Sequence, residues 1–166
     1  PTRLLDWTYS PLVAAFFATR PLDGPERARA LWRLDWQKMH RTFGFQPLAL
    51  LIRDLETLLD HGGHATPWEL FARDSDAHPF ACLVEPPSLD GRIVAQAAAF
   101  TICSDKRNSF NRFLESHGLA DALTKFVIPA NRVAQFRDQL DLVGVDERRL
   151  FPDLDGVGAA IRRYYA

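Results

Sequence analysis

Five residues near the start of the chain carry side chains suited to binding a ligand or to catalysis. Thr2, Arg3, Asp6, Trp7 and Thr8 place hydroxyl, guanidinium, carboxylate and indole groups within seven positions. If the two leucines between them are anchored in a core, the polar groups must pair locally or face a cleft, because burying an unpartnered polar group is costly. The local interpretation is an Arg3–Asp6 ion pair followed by a hydroxyl that caps a helix; the alternative is a ligand site.

A helix immediately after this segment would hold it in place. Ser10 is a good N-cap and Pro11 suits the first helical position, so the sequence predicts a helix that runs to Thr19. Alanine and phenylalanine dominate its length and it is apolar on nearly every face, which is typical of a buried helix.

Short strands and helices alternate along the rest of the chain. Alternating or apolar patterns predict strands at residues 30–35, 81–85 and 123–128, and residues 91–95 are expected to lead toward another. Helices are predicted at residues 47–59 and 108–117, and after capping residues Asn131, Asp146 and Asp153. In the helix after Asn131, we expect Val133, Phe136, Leu140 and Val143 to share one face. The sequence therefore predicts a single α+β domain with a small mixed or antiparallel sheet and packed helices.

Composition limits the classes of function. The chain has 166 residues, 47% of them hydrophobic and 25% charged, with a net charge of −1. Such a balance gives no support to a broad nucleic-acid-binding surface or to attachment to an anionic membrane. No apolar run approaches the roughly 20 residues of a membrane helix. Cys82 and Cys103 lack metal-binding or redox spacing and favour a reduced compartment, so a cytoplasmic location is expected.

Two further patterns resemble metal sites. His61 and His64 flank two glycines, yet no cysteine or carboxylate cluster completes a ligand set, so a loop is the favoured interpretation and no metal is expected. Asp153 and Asp155 have the spacing of a calcium loop, but the residues that follow are apolar. A helix-capping turn is therefore favoured there.

The run PTRLLDWTYSPLVAAFFA at residues 1–18 resembles the central signature of the FRG domain family. Later segments follow in that family's order: ALWRLD, GRIVAQAAAFT, KFVIP, DLVGV and RRLFPDLDG. The resemblance extends over residues 1–166. It implies an FRG-type domain whose N-terminal portion, including the strand that carries the Phe-Arg-Gly motif, precedes Pro1.

The layout of this family is in turn similar to that of the ADP-ribosyltransferase superfamily. That resemblance implies NAD as a substrate, with Thr2, Arg3, Asp6, Trp7 and Thr8 as cofactor-binding residues and Gln96 in the catalytic position. It also implies an effector in bacterial conflict or phage defence. The family often has glycine two residues after Gln96, where this chain has Ala98.

Two functions remain open from the sequence. The first is an NAD-using enzyme of ADP-ribosyltransferase type. The chemistry weighs against it, because an amide such as Gln96 can hydrogen-bond a ribose but cannot neutralise an oxocarbenium-like transition state as a carboxylate does. The second is a non-catalytic module that binds a nucleotide or a protein.

Overall fold

The computed structural model describes residues 4–20, 27–51, 79–88, 90–105 and 107–165. Its strands are β1 (Leu4–Thr8), β2 (Arg29–Leu34), β3 (Leu50–Leu51), β4 (Ala81–Glu85), β5 (Ala98–Cys103) and β6 (Leu123–Ile128). Its α-helices are α1 (Pro11–Thr19), α2 (Trp36–Thr42), α3 (Gly91–Ala95), α4 (Phe110–Ser116), α5 (Val133–Leu142), α6 (Glu147–Leu150) and α7 (Leu154–Tyr165). Short 3-10 turns precede β6 and α5. The predicted α+β class with a small mixed sheet is confirmed.

The strands form two sheets. Four of them lie in the order β1-β5-β4-β3, with β3 parallel and β5 antiparallel to β4. The second sheet pairs β2 with β6.

The chain divides into two compact units. Unit 1 comprises residues 1–7, 33–87 and 99–124, and unit 2 comprises residues 8–32, 88–98 and 125–166. The extent of one FRG-type domain over the whole chain stays a prediction.

Unit 1 has apolar residues on both faces of β4. Ala81 and Leu83 join a cluster with Met39 and Leu114, whereas Cys82 and Val84 join Leu50 and Ile102 on the other face. This alternation follows from the two-residue repeat of a strand. Cys103 pairs with Ala81 across the ladder and lies on the first face, so Cys82 and Cys103 point away from each other. Burial raises the pKa of the Cys82 thiol to about 12, which makes it a core residue and not a nucleophile.

Unit 2 is built around α1. The buried residues Val13, Ala15 and Phe16 of this helix pack with Leu140 of α5 and Leu150 of α6. Ser10 caps α1 by accepting a hydrogen bond from the Val13 amide, as the sequence predicts. Helix α1 is not buried on every face as the sequence predicts, because Leu12 and Phe17 are exposed.

Other local predictions need correction. Asn131, the predicted cap of α5, lies in the 3-10 turn Ala130–Arg132, and α5 begins after Arg132 without a side-chain cap. Of the residues expected to share one face of α5, Leu140 is buried, whereas Phe136 and Val143 are exposed. Residues 91–95 form helix α3 before β5. Residues 50–51, within a predicted helix, are strand β3; the remainder of that helix, from residue 52, lies outside the described residues. No helix in the described part of the chain combines the length and apolar character needed to cross a membrane.

Candidate functional site

Two segments that the sequence singles out meet within unit 2. The backbone amide of Tyr9 donates to the carbonyl of Ala97 at 3.0 Å, and the hydroxyl of Thr8 donates to the carbonyl of Gln96 at 2.7 Å. The opening segment and the segment that ends α3 are therefore held together by two adjacent hydrogen bonds.

The Thr8 hydroxyl has a second partner. Besides donating to Gln96, it accepts the Ser10 amide at 3.1 Å, directly before helix α1. Its only proton is thus directed at a backbone carbonyl, and one of its lone pairs is in use. This arrangement fixes the turn that leads into α1.

Gln96 connects α3 to the RRLFPDLDG segment. Its side-chain amide donates to the carbonyl of Leu150 at 3.0 Å, and its own backbone amide closes α3 by donating to Arg92. Gln96 is partly buried. One donor of the predicted catalytic amide is therefore used to hold α6 against α3.

Arg92, one turn earlier on α3, makes a second link to the same segment. Its Nε donates to Asp153 at 2.9 Å and its Nη2 contacts the same carboxylate. The other oxygen of Asp153 accepts the Gly156 amide at 2.8 Å and so caps α7. These bonds lower the pKa of Asp153, with the Gly156 amide as the largest cause. The capping turn predicted at Asp153 is confirmed.

Phe151 lies between these links. Its ring is 6.1 Å from that of Phe17, edge to face, and the guanidinium carbons of Arg20 and Arg92 lie 5.1 and 5.6 Å from its centre. These are cation–π distances. Both arginines are exposed. Sequence reasoning missed Arg20 and Phe151, because only the fold brings residues 20, 92 and 151 together.

Ala97 has a backbone φ of +46°, the only positive value among the described non-glycine residues. The left-handed region costs an L-residue roughly 1 kcal/mol or more. The conformation turns the consecutive carbonyls of Gln96 and Ala97 toward Thr8 and Tyr9. The position that would favour glycine is therefore 97 and not Ala98, which begins strand β5.

The remaining predicted site residues lie elsewhere or outside the described part. Trp7 belongs to unit 1, where its indole nitrogen donates to the buried Thr101 hydroxyl at 3.0 Å and its ring packs edge-on against Phe110. Asp6 is exposed in β1. Thr2 and Arg3 lie outside the described residues, as do His61 and His64. The proposed roles of all six predicted site residues stay predictions.

Unit 2 contains a group of buried charged residues that the sequence pattern did not predict. Arg137 contacts Glu147, donates to the Phe16 carbonyl at 3.4 Å and lies 4.0 Å from the centre of the Phe16 ring. Arg163 bonds both Glu147 and Asp141. Burial lowers the pKa of Arg137, and the charge of Glu147 opposes that shift. This network joins α1, α5, α6 and α7.

The described residues contain no candidate metal site. No group of three or more histidine, cysteine, aspartate or glutamate side chains there has the arrangement to hold an ion.

Comparison with known proteins gives one match. Residues 1–26 match the model of the FRG domain family, which covers the opening segment and helix α1. No curated protein and no solved structure matches the chain.

Proposed function

We propose that this chain is a non-catalytic protein-binding module and that unit 2 carries the binding surface. The observation behind this proposal is the distribution of exposed apolar side chains. Of the seventeen large apolar residues that are exposed in the described part of the chain, fourteen belong to unit 2 and three to unit 1. The described parts of the two units are of similar length, so size does not explain the difference.

Several of these side chains are almost fully exposed. Leu142 is 86% exposed, Leu154 89% and Tyr165 87%. Single exposed apolar residues are common, but a concentration in one region is typical of a surface that contacts another protein. The net charge of −1 is consistent with a partner held by apolar contact more than by long-range attraction.

The hydrogen bonds of the signature segments support a structural role for them. Thr8 and Gln96 both direct donors at backbone carbonyls, and Arg92 is paired with Asp153. A catalytic group must be available to a reacting atom. We infer that these residues hold the turn before α1, helix α3 and helix α6 in fixed positions.

A matched pair of variants tests the proposal. Affinity-tagged full-length protein carrying Leu142→Lys in unit 2 is compared with the same protein carrying Leu48→Lys, since Leu48 is 62% exposed in unit 1. Partners are captured from cells of the source and quantified. We expect at least one partner to be reduced about tenfold by Leu142→Lys and retained by Leu48→Lys, as for loss of an interface anchor. Equal recovery with both variants would contradict the proposal.

The second candidate is an enzyme of ADP-ribosyltransferase type. The observation in its favour is that Thr8 and Gln96, which the resemblance assigns to one NAD site, lie in direct contact. The full-length protein is incubated with labelled NAD, beside Gln96→Ala. Nicotinamide release that Gln96→Ala abolishes would favour the enzyme; no release and no NAD-induced thermal shift would favour the binding module.

A further inference from the structure

Four large apolar residues of helix α7 are exposed: Leu154, Val157, Ile161 and Tyr165. Among the side chains of this helix that the structure describes, the buried positions are Gly156 and Ala160, and Arg163 joins the buried charge network. A Cβ at Gly156 would lie only 1.9 Å from the Phe151 carbonyl oxygen, so this close approach requires glycine. A soluble helix ordinarily has the opposite orientation, with its large apolar residues inward.

The outward face is a continuous stripe. Leu154, Val157, Gly158, Ile161 and Tyr165 follow the spacing of one helix face, and we call them the outer stripe. The four large members are 41% to 89% exposed. A Cβ at Gly158 would enter open space, so the middle of the stripe is a shallow gap between larger side chains. Such a gap allows another helix to approach closely at its centre.

Charged residues border the stripe in an ordered way. Asp155 and Arg162 are both exposed and stand seven residues apart, which is two turns and therefore one side of the helix. The acidic residue lies near the start of α7 and the basic residue near its end. The midpoint between them falls at Gly158 and Ala159, beside the gap in the stripe.

We propose that the outer stripe binds the same stripe of a second copy of this chain, in antiparallel orientation, to form a twofold-symmetric dimer. With the twofold axis at Gly158, Asp155 of each copy lies opposite Arg162 of the other. A parallel twofold arrangement would place the charged sides of the two helices on opposite sides of the interface, where Asp155 and Arg162 could not pair. The same axis brings the two glycines to the point of closest approach and places Leu154 near Ile161 and Tyr165 of the second copy. The proposal deepens the protein-binding function proposed above and rests on it.

Sedimentation velocity of the full-length protein between about 1 and about 200 µM tests the proposal, because a single short helix pair is expected to give a dissociation constant in the micromolar range. We expect a monomer–dimer equilibrium. Ile161→Asp is expected to raise the dissociation constant at least about thirtyfold, since it places a charge in a desolvated contact. Leu48→Asp, an exposed leucine in unit 1, is the matched control and should leave the equilibrium unchanged.

Charge reversal tests the orientation. Asp155→Arg and Arg162→Asp are each expected to weaken the dimer about five- to tenfold, and the double variant to restore it to within about twofold of the original. Circular dichroism checks that α7 remains helical in each variant. A monomer at all concentrations, a dimer unaffected by Ile161→Asp, or a double variant no better than the singles would each overturn the proposal.

The outcome can be separated from that of the proposed function. Leu142 lies outside the outer stripe, so partner capture that depends on Leu142 does not require the dimer. A monomeric protein that still captures a partner through Leu142 would refute the dimer alone. If the dimer passes all of these tests but no captured partner depends on Leu142, the binding surface at Leu142 is refuted and the dimer is supported.

Discussion

The two units differ in where they place apolar and charged groups. Unit 1 buries apolar residues on both faces of β4, and the polar residues buried in its described part are His40, Thr101 and Ser104. Unit 2 buries the charged residues Arg137 and Glu147, and it carries most of the large apolar residues that are exposed in the described part of the chain. This is the distribution expected if the interior of unit 1 serves stability and part of the surface of unit 2 serves contact with protein. Four sets of substitutions test this difference and are given in decreasing order of the predicted change in stability.

The largest effect should come from removing one member of the buried ion pair. Glu147→Leu leaves Arg137 buried without its carboxylate, and we expect unit 2 to lose about 3–5 kcal/mol of unfolding free energy. Removing both partners with Arg137→Met and Glu147→Leu should restore much of that loss, because no unpaired charge remains. Urea unfolding, combined with hydrogen exchange of residues 133–165, measures the change.

The matched control is Asp121→Leu in unit 1, which breaks the exposed Lys38–Asp121 pair. It should cost far less than Glu147→Leu, because water solvates the remaining charge of an exposed ion pair. Equal costs for Glu147→Leu and Asp121→Leu would show that the buried network does not stabilise unit 2.

In unit 1 the comparable group is His40, which responds to pH. Its Nδ1 lies 2.8 Å from the Gln46 carbonyl and its Nε2 accepts the Leu83 amide at 2.7 Å, so the ring is neutral with its proton on Nδ1. Burial lowers the pKa of His40 below 6.5. The unfolded chain therefore takes up a proton first as the pH falls.

We expect His40 to contribute no pH dependence above about pH 6.5 and a loss of about 1.4 kcal/mol per pH unit below it, until the lowered pKa is reached. His40→Leu should lack this slope, and at pH 7.5 it should be about 1–3 kcal/mol less stable because the Leu83 amide loses its acceptor. Urea unfolding from pH 5 to pH 7.5 provides the comparison. If the unfolding free energies of the wild type and of His40→Leu change equally with pH, His40 is not neutral and hydrogen-bonded in the folded protein.

The hydrogen bonds of the signature segments should each have a moderate effect. Thr8→Val and Gln96→Leu are each expected to lower the unfolding free energy by about 1 kcal/mol, since each removes hydrogen bonds within unit 2. Thr42→Val removes a hydroxyl that donates to the Lys38 carbonyl within an exposed turn of α2, and it should change the unfolding free energy by less than about 0.5 kcal/mol. Thermal unfolding measures all three. Thr8 and Gln96 variants as stable as the wild type would argue against the structural role.

The smallest effect should be a gain. Ala97→Gly relieves the positive φ and should stabilise the protein by about 0.5 kcal/mol after the entropy of the unfolded glycine is included. Ala98→Gly, one residue later in β5, should instead cost about 0.5–1 kcal/mol. The opposite order of melting temperatures would contradict the assignment of the strained position to residue 97.

Local signals in the sequence predicted much of the fold. Ser10, Asp146 and Asp153 cap helices as expected, and β6 ends before Pro129, because caps and proline act within a few residues. Helix α3 was missed because five residues are too few to show a helical period.

Less of the candidate site than of the fold could be predicted from the sequence. Periodicity predicts that Phe136, Leu140 and Val143 share one face, but it does not show that Leu140 is buried while Phe136 and Val143 are exposed. The Trp7–Thr101 bond and the pairing of Arg137 with the Phe16 carbonyl join residues about a hundred positions apart. Such contacts follow from tertiary packing and leave no local pattern.

The most direct test of the central claim is the ratio of partner recovered with Leu142→Lys to that recovered with Leu48→Lys. Both substitutions put a charge on an exposed leucine, one in unit 2 and one in unit 1. We expect a ratio of about one tenth for at least one partner. A ratio near one for every captured protein would contradict the proposed protein-binding surface.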